Sequence, residues 1–341
     1  MKLLEKSVDK IQERRVRKAG IAFGDIWRDP DLAAGLPAVR AGDIAAAREL
    51  LAVADPRRAD LRLHVLSDAC VPHLPALEER YGDDDPLLLL LGGTTRVKTA
   101  WEARGGGWAS GVGKERFRRF FGLLEPAARP LARAAELAPE DPRPWNSLQW
   151  YGLGMQLGRE ALDRIWLELC ARDSWHHGGR SSRLQVLCHK WQGSHEEMFA
   201  FARENAARSA PGDACLGLLP EAHKEHLMIL IRDSDEIETY GDVKELVRGY
   251  FADPGIHGEL ADAADRWLSG DTASDPESAG VAHAFGAAFH HGGDLDRATR
   301  VLARAGRTIP PGALWEHVSP SPGSDLLAAL GRCGLLHRPS G

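Results

Sequence analysis

The chain has 341 residues, 43% of them hydrophobic and 27% charged, and a net charge of −6. That composition suits a folded core and excludes a disordered polymer, and its acidic balance gives no footing for nucleic-acid binding. Five cysteines (Cys70, Cys170, Cys188, Cys215 and Cys333) stand apart without a CxxC pair, which excludes a disulfide framework and a cysteine zinc site.

In chain order, residues 2–19 are predicted as a basic helix with apolar positions Leu4, Val8 and Ile11. Arg14, Arg15, Arg17 and Lys18 suit its C-terminus, and Gly20 ends it. A first helix pair is expected over 32–41 and 43–54, closed by Pro56, then helices at 58–70 and 74–81 before the acidic turn at 82–86. The next helix runs from Pro86 to Arg104, where Gly105-Gly106-Gly107 stops it. Helices follow at 113–124 and 125–137, and the proline-rich turn 138–145 opens a long run of alternating helices from Trp145 to Asp253. Breaks in that run fall at Leu157-Gly158, Asp173-Ser174, Gln192-Gly193, Ala210-Pro211-Gly212 and Asp233-Ser234. Residues 270–276 read as a polar linker, 319–324 as a flexible tail, and 325–332 as a short capping helix. No segment alternates with period two, so no significant β-sheet is expected. The longest apolar run, Leu87 to Leu91, is too short to span a bilayer, and no secretory signal is evident at Met1. A cytoplasmic location without membrane attachment is expected.

Two stretches share one pattern. Gly42-Asp43 and Gly293-Asp294 each open a helix with small residues seven apart, Ala47 and Ala54 in one, Ala298 and Ala305 in the other. Leu51 or Leu302 lies between them, and a glycine (Gly35 or Gly286) precedes each opening by seven residues. Small residues at that interval admit a neighbouring helix backbone, which points to antiparallel helix pairs used more than once.

These residues resemble the tetratricopeptide family, whose unit is a helix–turn–helix of roughly 34 residues. Residues 279–310 supply Phe285-Gly286, Phe289, Ala298, Leu302, Ala305 and Pro310 at matching intervals, with Ala282 at the usual tryptophan. Residues 145–173 supply Trp145, Leu148, Ala161 and Ile165, but Glu168 and Asp173 replace the expected alanine and proline. The middle of the chain, Trp101 to Gly106 and Lys190 to Ser194, also resembles an uncharacterised bacterial helical family. The resemblance implies an all-α fold, an α-solenoid of antiparallel helix pairs forming a right-handed superhelix. The expected division is a basic helix at 1–20, an array at 21–318 and a tail at 319–341.

The tetratricopeptide register implies a groove lined by Arg143, Asn146 and Trp150, then Arg180 and Arg183, with His283 and His290 towards the far end. Arginines placed there would grip an acidic or C-terminal peptide segment in fork geometry. The leading expectation is therefore a non-enzymatic scaffold that binds a protein or peptide, without cofactor or metal. One alternative is a metal-dependent enzyme using His176, His177, His189 and His195 with Glu196. His195-Glu196-Glu197-Met198-Phe199 lacks the second histidine of a zinc-protease helix, and histidines at helix ends serve more simply as dipole partners. Another is a peptide-sensing regulator that works through its basic N-terminal helix. The Gly105–Lys114 segment ends in Gly-Lys, but Trp108 stands where a phosphate loop opens and Glu115 stands where it needs Ser or Thr. Arginines and phenylalanines interleave over Lys114–Phe121, as on a solvated face opposite a buried one.

Overall fold

The computed structural model describes residues 12–24, 26–81, 84–105, 113–273 and 275–336. Leu4, Val8 and Ile11 of the predicted first helix lie outside the described residues, as does the segment 106–112. The described residues are all-α but for one pair of two-residue strands, and among them no helix is long and apolar enough to cross a membrane. The chain divides into two compact units, Asp29–Met198 and a second made of Met1–Arg28 with Phe199–Gly341.

In the first unit the helices are α2 (Pro30–Arg40), α3 (Ile44–Leu51), α4 (Pro56–Cys70), α5 (Leu74–Tyr81), α6 (Pro86–Arg104), α7 (Lys114–Leu124), α8 (Ala128–Leu137), α9 (Arg143–Gly154), α10 (Arg159–Arg172) and α11 (His177–Leu187); α12 (His195–Arg208) begins here. Helix α2 packs on α4, α4 on α6, α6 on α9 and α9 on α11, while α3, α5, α8 and α10 fill in beside them.

The helix starts share a chemical cause. All six Asp-Pro dipeptides of the sequence stand at one, at Asp29, Asp55, Asp85, Asp141, Asp253 and Asp275. Each carboxylate accepts a backbone N–H two or three residues on, from Leu32 (3.1 Å), Arg57 (3.0 Å), Leu87 (3.0 Å), Arg143 (2.9 Å), Gly255 (2.9 Å) and Glu277 (2.9 Å) respectively. The proline loses nothing there, because its missing N–H falls where a helix has no acceptor for it. Pro56 accordingly opens α4 rather than closing the pair before it.

The second unit holds α1 (described over 12–18) and, after α12, helices α13 (Leu218–Asp233), α14 (Tyr240–Ala252), α15 (Pro254–Leu268), α16 (Ser278–Gly292), α17 (Leu295–Ala305), α18 (Leu314–Val318) and α19 (Pro322–Arg332). Strand β1 (Ala22–Phe23) pairs in parallel with β2 (Thr308–Ile309), a ladder too short to leave an alternation in the sequence. Helix α16 is central, contacting α13, α14, α15, α17 and α18, around a core with Trp267, Trp315, Phe251, Phe285 and Phe289 fully buried.

The repeated Gly-Asp motif has the same geometry twice. Gly42 (φ +95) and Gly293 (φ +90) take the left-handed conformation that ends a helix, and Asp43 and Asp294 cap the next by accepting from Ala46 and Arg297, both at 3.0 Å. Gly35 and Gly286 are where the paired helices close in. A Cβ on Gly35 would stand 2.8 Å from Leu50 Cδ1, and one on Gly286 would overlap Leu302. Ala298 and Ala305 are buried as expected, but α3 ends at Leu51, so Ala54 lies outside it and is exposed. The 270–276 segment falls inside the second unit, where Arg304 donates to Thr272 at 3.1 Å, and α19 starts at Pro322 rather than at 325.

Candidate functional site

Five of the expected groove residues lie on α9 and α11, and most of them are already engaged. Arg143 forks onto Asp141 of its own turn, with Nη2 2.7 Å from Oδ2. Arg180 is buried: its guanidinium lies 4.0 Å from the ring centre of Trp175 and 5.9 Å from that of Trp166, and Nη2 donates to the Ser174 carbonyl. Arg183 is buried too, paired with Asp163 of α10 and 5.9 Å from Trp166. Burial lowers the Arg183 pKa and Asp163 offsets part of that; on Asp163, burial pushes upward but the hydrogen bonds from Arg183 and Arg159 win and lower it. Trp150 packs with Trp191 against Leu153, Leu162 and Val186, and Trp101 meets both indoles edge-on at 5.9 and 5.7 Å. These side chains hold helices together; they do not stand free as carboxylate clamps.

Asn146 is different. Its Oδ1 accepts from Ser182 Oγ of α11 at 2.7 Å, and its Nδ2 reaches Asp60 Oδ1 of α4 at 3.4 Å. Gln149 donates to Ser182 Oγ at 2.9 Å, and Thr94 of α6 bonds Ser147 of α9 at 2.8 Å. His176 caps α11 by accepting from Gly179 N at 2.9 Å, so its neutral ring carries hydrogen on Nε2, which points at Asp60 from 3.6 Å without a hydrogen bond. Gly178 is required here, since a Cβ on it would collide with Asp60 Oδ2. Farther along α4, Asp68 takes Lys98 Nζ of α6 at 2.7 Å, with His64 Nε2 3.4 Å from the same ammonium and its side chain 59% exposed. A row of polar side chains thus crosses α4, α6, α9 and α11.

The metal alternative finds no assembled ligand set. His189 and His195 stack at 5.0 Å, apart from the capping His176, and among the described residues no three His, Cys, Asp or Glu side chains are grouped to hold a metal.

In the second unit, His283 of α16 is buried and its Nδ1 accepts from Trp315 Nε1 at 3.2 Å, while His290 and His291 pack on the same indole at 5.7 and 5.5 Å. Desolvation pushes all three histidines down to about 4. His283 is core and lines no groove, whereas His290 and His291 are half-buried against Trp315. An open depression of about 350 Å³ lies elsewhere in this unit, lined by residues including Tyr240, Val243, His317 and Pro320.

A second polar assembly escaped the sequence reading. His223 of α13 is buried between Tyr250 of α14 (Nδ1 to Oη, 2.8 Å) and Glu259 of α15 (Nε2 to Oε2, 3.2 Å), and Arg203 forks onto the same carboxylate at 2.6 and 3.2 Å. The hydrogen bond from His223 holds Glu259 down at about 2 against the upward push of burial, and desolvation pushes Tyr250 up. In this state neither group is poised to exchange a proton near neutrality.

In comparisons with known proteins no family model matches the chain, and no curated protein or solved structure matches it either.

Proposed function

We propose that Asp29–Met198 is a short α-solenoid of tetratricopeptide-like helix pairs, a non-enzymatic scaffold that holds a peptide or protein segment along its row of first helices. The order of packing supports this, since α2, α4, α6, α9 and α11 neighbour one another in sequence order, with one helix between successive members except for α7 and α8 between α6 and α9. A repeat array built that way presents side chains from successive units along one continuous surface. The observation that carries the reading is the polar row itself: Asp60, Asn146 and Ser182 come from three different helices and link into one line, with Asp60 and Asn146 half-exposed and Ser182 buried beneath them.

The chemistry of the row also shapes the partner. Its arginine neighbours are spent on Asp141, Asp163 and tryptophan rings, whereas among the described residues Asp60 keeps only two long contacts. An extended segment offering backbone N–H groups or cationic side chains fits this line better than the acidic terminus expected from the arginines.

A photo-crosslinking residue tests the assignment when placed at His64 on α4, and for comparison at Arg164 on α10, where the side chain is 67% exposed. Crosslinking of a cellular protein from position 64 and not from 164 is expected. Equal yields from both positions, or none from 64, would remove the reading.

A further inference from the structure

We propose that the outer face of α7 is a second docking surface, one that takes an acidic segment of a partner protein. Helix α7 (KERFRRFFGLL) buries only Phe120 and Leu124, and carries Lys114, Arg116, Arg118 and Arg119 against Glu115, four cations to one carboxylate. That is a local net charge of +3 on a chain whose total is −6. Arg118 pairs with Glu115, but Lys114, Arg116 and Arg119 are exposed and make no hydrogen bond or ion pair among the described residues. Several arginines of this unit are engaged instead: Arg62 with Asp29, Arg143 with Asp141, Arg159 with Asp163 and Glu197. On α7 the unpaired cations are clustered on one short helix.

The placement of these cations costs the helix something. Lys114 and Arg116 sit in its first turn, where the macrodipole disfavours positive charge, and the cap residue Gly113 supplies no side-chain acceptor. Carboxylates brought by a partner would offset that charge. Beside them Phe117 and Phe121 stack at 6.1 Å with 22° between their planes, half-buried, a platform on which one apolar side chain can rest. Arginine next to aromatic rings is the composition of binding hot spots.

Size and charge select a protein segment over a larger polyanion. Eleven residues of helix span about 16 Å, enough for a few carboxylates. A bilayer or a nucleic acid extends well past that patch, where it meets a chain of net negative charge, and three cations alone hold an anionic bilayer weakly.

The test uses the intact chain and a fluorescent synthetic amphipathic peptide with glutamates on one face and leucines on the other, followed by anisotropy. Binding that weakens with added salt is expected. The combined change Lys114→Glu, Arg116→Glu and Arg119→Glu should weaken it by about thirtyfold or more, at roughly threefold per exposed charge contact. Because these side chains are exposed and acidic residues suit a helix N-terminus, that variant should keep the parent's circular dichroism and unfold at no lower temperature. Phe117→Ala should weaken binding without changing its salt dependence. No binding by the parent, equal binding by the charge-reversed variant, or a preference for anionic vesicles or single-stranded DNA over the peptide would overturn the proposal.

Discussion

Nδ1 of His223 and the Tyr250 hydroxyl share a hydrogen bond of 2.8 Å, and the opposite ring nitrogen, Nε2, faces Glu259 at 3.2 Å. One ring thereby joins α13, α14 and α15, and its polar atoms are satisfied although the side chain is only 3% exposed. Removing the phenol should leave the buried Nδ1 without its partner, a loss of about 1–3 kcal/mol. Tyr250→Phe is therefore expected to lower the unfolding free energy by that amount in denaturant titration. Adding His223→Phe, which removes the stranded ring nitrogen as well, should recover part of it. A Tyr250→Phe variant as stable as the parent would show that the bond contributes nothing.

Acid should loosen the second unit. His283, His290 and His291 are neutral in the fold with pKa values near 4, against an ordinary 6.5. Between those limits the unfolded chain binds protons that the folded one refuses, so stability is fully present above 6.5 and falls as the pH drops towards 4. Charges around the rings are mixed: Asp325 favours the protonated forms of His290 and His291, Lys244 opposes both, and Arg332 opposes that of His290. Protonating His283 has a further cost, because Nδ1 cannot both accept from Trp315 and carry a hydrogen. Glu259, held near 2 against an ordinary 4.5, extends the loss to lower pH. Thermal melts should therefore shift down progressively below pH 6.5. His283→Gln keeps an acceptor for the indole and should give a shallower acid slope; a slope identical to the parent's would refute the assignment.

The helices were legible because their punctuation is chemical. Gly-Asp junctions, the stop at Gly105 and the breaks near Gly158 and Gly193 all act within a few residues. The Asp-Pro starts are equally local, yet Pro56 was read as a stop, since proline marks both ends of helices and only the preceding aspartate tells which. The polar row was not legible. Asp60 and Asn146 are 86 positions apart and Asn146 and Ser182 are 36 apart, so nothing in either neighbourhood announces the other. Arg180 and Arg183 misled for a related reason: a guanidinium reads as exposed until Trp175, Trp166 and Asp163 fold over it. His283 looks polar in sequence, but as a neutral ring against Trp315 it packs as core, and His290 is half-buried on the same indole.

Arg62 and Asp29 allow the most direct test of what holds the first unit at its beginning. The guanidinium forks onto the carboxylate at 2.6 and 2.9 Å and also donates to the Leu50 carbonyl at 3.0 Å, while Asp29 caps α2. Both side chains are buried, at 6% and 0% exposed; without Arg62 the carboxylate keeps only the longer contact with Arg58 at 3.6 Å, and without Asp29 the guanidinium keeps Asp31 at 3.3 Å. Arg62→Met should cost about 3 kcal/mol, because it leaves a buried carboxylate with that one distant cation. In Asp29→Asn with Arg62→Met, the amide still accepts from Leu32 and no charge remains buried, so most of the loss should return. The two single changes and the double change form a thermodynamic cycle readable by urea unfolding. A double variant no more stable than Arg62→Met would mean that the arginine acts through its contact with Leu50 and its packing, and not through Asp29.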